Sequence, residues 1–230
     1  KNRIINGNMV IDQRNAGAAV TASGTYVVDR FAVANSSDGG ISVQQDSSAP
    51  AGFVKSIKYT ITTADGTLAT GQRLGCQQKI EGYNIADLGW GTADAKSITL
   101  SFWVRSSLTG TFGSSLRNSD NSRSYPFTYS ISTADTWEQK SVTIAGDTSG
   151  TWLTTNGVGI RLEFGLGTSS DMSGTAGAWV SANYASVTGA VSVVGTLNAT
   201  WYITGVQLEA GSTATEFEHR PYGTELSLCQ

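Results

Sequence analysis

The chain is 230 residues long and carries 18 acidic and 15 basic side chains, for a formal net charge of −3. Only 14% of it is charged and 39% is hydrophobic. A chain of this length can bury a sizeable core. The near-neutral charge argues against nucleic acid as the main partner. No apolar stretch approaches the roughly 20 residues that a membrane span needs, so no membrane insertion is expected.

Apolar and polar residues alternate with a period of two along most of the chain, which is typical of β-strands with one buried face. In chain order, this pattern predicts strands over residues 25–33, 57–62, 74–80, 97–105, 111–117, 124–131, 138–144, 158–164 and 200–208. Turn-forming clusters separate them, and Gly, Ser and Thr together fill 83 of the 230 positions. Only residues 83–88 could form a short helical turn.

About ten short strands with antiparallel spacing predict an all-β fold, an antiparallel β-sandwich. No linker marks a boundary, so we expect a single domain over residues 1–230, with an N-terminal segment 1–24 and a C-terminal tail 212–230. Residues 165–197 are rich in Gly, Ser and Ala. Because a loop of about 30 residues without structure of its own is unusual, we expect short strands near 178–180 and 190–194.

The residues that usually carry enzymatic chemistry are scarce. Cys76 and Cys229 cannot form a disulfide scaffold, and they are interpreted as free thiols, with one long-range bridge as the alternative. His219, the only histidine, could act as a general base oriented by Glu216 or Glu218, or it could be a polar residue on an exposed C-terminal strand. No nucleophile lies in a recognisable motif, so we expect no enzymatic activity.

Carboxylates leave two alternatives open. A glycosidase needs only two of them, and Glu138 and Glu163 form the best pair because both lie on predicted strands. The remaining acids considered lie in turn-like surroundings: Asp87, Asp94 and Asp120. Loop aspartates could supply oxygen ligands for calcium, namely Asp46, Asp65, Asp120 and Asp147. No D-x-D-x-D-G run is present, so neither a metal nor another cofactor is predicted.

Aromatic side chains in Gly- and Ser-rich surroundings are the strongest candidates for recognition. Their flat apolar faces stack on sugar rings while polar neighbours bind hydroxyl groups. The predicted carbohydrate-binding residues are Arg117, Asn118, Asp120, Tyr125, Trp152, Trp179 and Tyr184. The alternative is that these aromatics, with Trp90, plug the ends of the sandwich. Trp103 lies on the opposite face of its strand from the core residues, so we expect a covering loop or a neighbouring subunit to pack against it.

Both ends of the chain resemble tail-fibre proteins of bacteriophages and prophages. The opening NRIINGNMVIDQR, at residues 2–14, resembles the "NLIINGDFxxxQRG" start of many such proteins. The stretches TWYITGVQLEAG (200–211) and TEFEHRPYGTEL (215–226) are similar to the final strand and tail of the same group. Related chains often continue as "LCQRYY", so the natural chain is expected to extend past Gln230. The middle stretches 98–105 and 137–144 resemble the jelly-roll core of carbohydrate-binding modules.

This resemblance implies a jelly-roll sandwich on a virion appendage, made in the host cytoplasm. It implies a homotrimer that contacts other virion subunits and recognises a bacterial surface glycan. Calcium is often structural in such jelly rolls, but Thr204-Gly205 stands where the resemblance would put an acid pair. Two other functions remain open: a structural virion protein such as a head fibre, decoration or adaptor protein, and a glycan depolymerase.

Overall fold

The computed structural model of the protein describes residues 2–230, and over this range the chain is almost entirely β-structure. The strands are β1 (Tyr26–Val28), β2 (Phe31–Asn35), β3 (Gly40–Asp46), β4 (Ser56–Thr63), β5 (Arg73–Glu81), β6 (Ile98–Ser106), β7 (Gly110–Arg117), β8 (Ser124–Ile131), β9 (Glu138–Ile144), β10 (Val158–Thr168), β11 (Ser173–Gly174), β12 (Ser186–Val187) and β13 (Thr200–Ala210). The helix α1 spans Tyr222–Cys229, and short 3-10 helices span Gly82–Asn84, Ala86–Leu88 and Ser170–Met172.

Two antiparallel sheets pack face to face. The six-stranded sheet has the order β1-β2-β5-β10-β7-β8, and the five-stranded sheet has the order β3-β4-β13-β6-β9. A small parallel pair, β11 and β12, belongs to neither sheet and packs on the outer face of the six-stranded one. The predicted all-β antiparallel sandwich of jelly-roll type is therefore confirmed.

The core lies between the two sheets and follows from strand alternation. On β6, every second residue from Ile98 to Val104 is fully buried. The ring of Phe102 from the five-stranded sheet meets Phe164 of the six-stranded sheet at 5.0 Å between centroids. The buried Trp201 indole N–H donates to the Tyr129 hydroxyl at 3.1 Å, so this buried donor has a partner.

Several predicted strands differ from the observed ones. Residues 25–33 form two strands rather than one, because Arg30 takes a left-handed conformation with φ 73° and turns the chain. The strand β3 and the helix α1 have no counterpart in the prediction. The helical turn expected over 83–88 corresponds to two short 3-10 helices.

The prediction of short strands near 178–180 and 190–194 is wrong. The segment instead forms β11 and β12, and Val180 makes a lone bridge to Ser124. A Cβ on Gly113 or Gly165 would lie within about 3 Å of Ser186, so these glycines let β12 approach the outer face of the six-stranded sheet. The path of residues 165–197 therefore depends on contact with this sheet surface rather than on the alternation of apolar and polar residues within the segment.

The two ends of the chain pack against each other. The Asn2 carboxamide accepts hydrogen bonds from the backbone N–H of Ile4 (2.9 Å) and Leu208 (3.0 Å). The Arg220 guanidinium donates to the backbone carbonyl of Asn2, and the buried Glu225 carboxylate accepts from the backbone N–H of Asn6. The two segments that resemble tail-fibre proteins therefore form one interlocked unit.

Both cysteines are free thiols, as predicted. Cys76 belongs to the main core, and burial raises its pKa to about 12. Cys229 packs with Ile5 and Ile11, and burial, with the charges of Asp29 and Glu225, raises its pKa to about 11. Within residues 2–230, we find no helix whose length and apolar character would let it cross a membrane.

Candidate functional site

Three of the predicted binding residues meet in one aromatic cluster. The ring of Trp179 lies 5.2 Å from those of Tyr125, Trp152 and Trp90, and Trp90 lies 4.7 Å from Trp152. All four contacts are edge-to-face, an arrangement that favours packing between rings. Trp90, Tyr125 and Trp152 are buried, and Trp179 is half-buried. Three of the four predicted aromatics therefore come together, and within this cluster only Trp179 offers part of its ring to a ligand.

The polar members of the predicted site shape the β7–β8 turn. The Asn118 side chain is buried, and its oxygen accepts the Arg123 backbone N–H at 3.0 Å. Asp120 is exposed and accepts hydrogen bonds from both the backbone and the hydroxyl of Ser122, which lower its pKa. These contacts resemble ordinary turn-capping interactions.

Arg117 and Tyr184 lie on the outer face of the six-stranded sheet. Arg117 is 1% exposed and donates to the Asn183 side chain at 2.8 Å. The backbone carbonyl of Tyr184 accepts from the Ser115 hydroxyl at 2.7 Å, which ties this residue to β7. The predicted site thus divides between an end of the sandwich and one sheet face.

The carboxylate pair considered for glycoside hydrolysis does not share one site. Glu163 lies on the six-stranded sheet, where its buried carboxylate accepts hydrogen bonds from Arg73 (2.7 Å), Gln77 (2.8 Å) and Arg117. Glu138 lies on β9 of the other sheet and pairs with Lys140 at 2.6 Å. Each carboxylate is held by cations in separate surroundings.

His219 is exposed and lies in the extended segment before α1, rather than on a strand. Its ring contacts Phe53 and Phe217, at 5.4 Å and 4.9 Å between centroids. These contacts give the histidine a packing role above the five-stranded sheet.

The outer face of the five-stranded sheet carries three further aromatic side chains. Trp103 lies on β6, Trp137 immediately precedes β9, and Tyr202 lies on β13. All three alternate with core positions, so strand geometry points them away from the core. Trp103 and Trp137 are half-buried, whereas Tyr202 is 7% exposed. We name this surface the aromatic face.

Cations flank the tyrosine of the aromatic face. The register pairs Tyr202 with Lys58 on β4 and with Arg105 on β6. The Lys58 ammonium lies 5.6 Å and the Arg105 guanidinium 5.0 Å from the centre of its ring. Trp137 meets the same ring at 6.0 Å. Cation–π contacts therefore hold Lys58 and Arg105 on the two sides of Tyr202, and Arg105 also contacts Ser48 and Asp135.

A bulge in β13 supports Trp103. Gly205 has a left-handed φ of 62°, and the β13–β6 register shifts between Thr204 and Gln207. A Cβ at Gly205 would lie 2.7 Å from Phe53 and 3.0 Å from Trp103. The absence of a side chain at this position therefore lets both rings pack against the strand.

A groove of about 340 Å³ runs beside Trp103 on the aromatic face. Gln139 pairs with Trp103 across β6 and β9, and the exposed Gln139 and Ser141 line the groove with Ser101. The opposite wall consists of residues 214–216 of the C-terminal tail.

Buried hydrogen bonds fix this wall in place. The Gln207 side-chain amide donates to the backbone carbonyls of Thr215 (3.3 Å) and Glu216 (3.2 Å), and its oxygen accepts from the backbone N–H of Glu218 at 2.9 Å. Glu209 accepts from the Thr215 backbone N–H at 3.0 Å. The tail is thus held to the sheet beside the groove, which gives the groove a defined shape.

Sequence reasoning found one part of the aromatic face. Trp103 was recognised as facing away from the core, because its neighbours on β6 alternate clearly. Trp137 and Tyr202 also alternate with core positions along the chain, so the same pattern predicts that their side chains face away from the core. Their proximity depends on the pairing of β13 with β6 and of β6 with β9, which is not readable from a single strand.

Comparison with known proteins identifies shared architecture. No protein-family model matches the sequence, and no curated protein matches it. A putative sugar binding protein from Bacteroides thetaiotaomicron superposes with a TM-score of 0.53 at 11% identity, covering 92% of this chain and 100% of that chain.

Two further solved structures superpose less closely. For the enzymatically active domain of tailspike protein 4 of bacteriophage CBA120, the TM-score is 0.48 and the identity 12%, over 91% of this chain but 21% of the tailspike chain. For the family 11 carbohydrate-binding module of a Clostridium thermocellum cellulosomal cellulase, the TM-score is 0.39 and the identity 13%, over 88% of this chain and 100% of the module. At 11% identity, the similarity to the sugar binding protein shows the fold alone.

Proposed function

We propose that this protein is a non-enzymatic receptor-binding domain of a phage virion, and that it binds a bacterial surface glycan through the aromatic face. One observation carries the proposal. Trp103 on β6 and Trp137 immediately before β9 lie half-exposed on the same face of the sheet, and Gln139, which is paired with Trp103, lines a groove there with Ser141 and Ser101.

The chemistry of the groove suits a neutral or weakly polar sugar chain. Tryptophan rings offer apolar area to the C–H faces of a pyranose, while amide and hydroxyl groups satisfy its hydroxyls. Lys58 and Arg105 add donors at one end, each held by Tyr202. Trp103 lies on a strand that is hydrogen-bonded on both sides, so little backbone ordering would oppose binding.

Two independent similarities support the same function. The segments 2–14 and 200–226 resemble phage tail-fibre proteins, and in the structure they interlock through Asn2 and Arg220. The fold is shared with a putative sugar binding protein over nearly the whole chain. The virion location and the homotrimer rest on the first similarity.

Binding to host cells tests the proposal directly. We expect the purified protein to adsorb to its host bacterium and to extracted envelope polysaccharide. The Trp103→Ala and Trp137→Ala variants should each lose about tenfold or more in affinity, because a stacked aromatic typically contributes more than 1.4 kcal/mol. The control is Leu197→Ala, since Leu197 is 56% exposed and lies in the loop before β13, outside the aromatic face. Equal binding by all four proteins would exclude the aromatic face as the receptor site.

The absence of enzymatic activity is part of the proposal. It is supported by the separation of Glu138 from Glu163 onto different sheets and by the cations that hold each carboxylate. Incubation with envelope polysaccharide should leave its viscosity and its number of reducing ends unchanged. A fall in viscosity accompanied by new reducing ends would instead indicate a depolymerase.

A structural role in the virion is the second candidate, and a specific surface favours it. Tyr83 and Leu228 are 70% and 41% exposed and line a cavity of about 470 Å³ beside the interlocked ends of the chain, together with mostly polar residues such as Arg3, Asp87 and Arg220. Two exposed apolar side chains next to charged groups suit a mixed apolar and polar contact with another subunit. Sedimentation of the full chain should show a trimer that Tyr83→Ser with Leu228→Ser weakens. A protein that bound no host glycan but still assembled through this surface would support the structural role.

A further inference from the structure

The outer face of the six-stranded sheet carries a row of like charges. Lys79 on β5 is paired in register with Arg161 on β10, and Arg161 is paired with Arg117 on β7. Like charges directly opposite each other in a sheet are destabilising. The row contains two such pairs in a protein whose net charge is negative. We name these three residues the cationic row.

The carboxylates on the same strands are already engaged. Glu81 pairs with Arg30, and Glu163 pairs with Arg73 and Arg117. The face of β5, β7 and β10 thus carries Arg73 and the three members of the cationic row against two carboxylates.

Arg161 retains capacity to bind. One of its terminal nitrogens donates to the Ser119 carbonyl at 3.3 Å, while its Nε is shielded and has no hydrogen-bond partner among residues 2–230. Burial and the charge of Arg73 lower the pKa of Arg161, against the opposing effect of Glu163. Burial also lowers the pKa of Arg117, and the charges of Arg73 and Arg161 act in the same direction. An anion placed here would relieve this repulsion.

The surroundings of Lys79 indicate what kind of anion would fit. Lys79 is exposed and lines a hollow of about 180 Å³ together with Tyr26, Gln77 and the Arg30–Glu81 ion pair, so the one carboxylate in the lining is already neutralised. Tyr26 is 39% exposed, and the Arg14 guanidinium lies 5.2 Å from the centre of its ring. An aromatic ring, an amide and a cation around a shallow hollow provide stacking, hydrogen bonding and charge pairing together.

We propose that this surface is a second binding site, specific for an acidic saccharide. A carboxylate, sulfate or phosphate group on the sugar pairs with Lys79 and Arg161, and the sugar ring lies against Tyr26. This site lies on the opposite sheet from the aromatic face, so it does not depend on the function proposed for that face. With one site for neutral sugars and one for acidic sugars, a single domain could bind both kinds of residue in a heteropolymeric envelope glycan.

Calorimetric titration of the full chain tests this proposal with four probes: trigalacturonate, a sulfated galactotriose, neutral galactotriose and a thymidine oligonucleotide. We expect either acidic trisaccharide to bind and the neutral one to bind at least about tenfold more weakly, because each charged hydrogen bond contributes roughly that factor. Raising the salt from about 50 mM to about 200 mM should weaken binding of the acidic sugar.

Variants distinguish the site from general attraction between charges. Lys79→Gln and Arg161→Gln should each weaken binding of the acidic trisaccharide about tenfold, whereas Lys55→Gln, on the loop before β4, should leave it unchanged. Trp103→Ala should also leave it unchanged, which separates this site from the aromatic face. Melting temperatures of the variants verify folding, and the exposed Lys79 provides a substitution with little effect on the core.

Three results would overturn the proposal. The first is equal affinity for the neutral and the acidic trisaccharides. The second is acidic binding that survives both Lys79→Gln and Arg161→Gln. The third is an oligonucleotide that binds as tightly as the acidic sugars and responds to the same variants, which would indicate a site for polyanions in general.

Discussion

Removing the buried carboxylate of Glu163 should destabilise the protein strongly. Glu163 is fully buried and accepts hydrogen bonds from Arg73, Gln77 and Arg117. In Glu163→Gln, the shape of the side chain remains but its charge is lost. Arg117 is 1% exposed and cannot recover hydration, whereas the Arg73 side chain is 23% exposed and can do so in part.

The size of the expected loss in unfolding free energy follows from this difference in exposure between Arg117 and Arg73. Breaking a buried ion pair on one side costs about 3–5 kcal/mol, because the remaining charge stays buried without compensation. Since glutamine can still accept a hydrogen bond and Arg73 can rehydrate, we expect the lower end, about 3 kcal/mol. For a chain of this length, that corresponds to a fall in melting temperature of roughly 6–12 °C.

Urea and thermal unfolding, followed by tryptophan fluorescence, measure this loss. Glu138→Gln is the matched control, because Glu138 pairs with Lys140 on an edge strand where both side chains keep contact with solvent. We expect it to cost no more than about 1 kcal/mol. Adding Arg117→Met to Glu163→Gln should recover part of the loss, since the unpaired charge is then removed. A loss below about 1 kcal/mol for Glu163→Gln alone would refute this account of the cluster.

Three further predictions concern packing and the thiols. Gly205→Ala should weaken glycan adsorption and should lower the stability by more than the control Gly17→Ala does. Both glycines have a positive φ, but only Gly205 faces Phe53 and Trp103. Equal losses of stability in the two variants would show that backbone strain alone is responsible. Trp152→Ala should cost about 3–5 kcal/mol of unfolding free energy through the cavity left in its ring cluster, yet leave glycan affinity of the folded protein unchanged. The pKa values of Cys76 and Cys229 are raised to about 12 and about 11, so both thiols should resist alkylation at about pH 8 until the protein is unfolded. Because these folded pKa values lie above those of the unfolded chain, the thiols should have no effect on stability at neutral pH and should lower it progressively as the pH rises above about 8.5; rapid labelling of the native protein would contradict their burial.

The local pattern of the sequence was enough to derive the fold class and most strands. The bounds of β8 and β9 agree with their prediction to the residue, because alternation over seven or eight residues is a property of the strand alone. The burial of Phe102 and the outward position of Trp103 follow from the same alternation. The resemblance of the two ends to one group of proteins was also visible without coordinates.

Only the tertiary structure decided which of these faces meet. Trp152 and Trp179 lie in different loops, and their mutual contact, which buries Trp152, depends on how the loops close over one end of the sandwich. Lys79, Arg161 and Arg117 are far apart in the chain, and pairing of three strands in one register brings them into a row. Alternation is a local property, whereas register and loop closure depend on contacts between distant segments. For that reason the sequence by itself determined the architecture, while the location of the two proposed binding surfaces required the folded molecule.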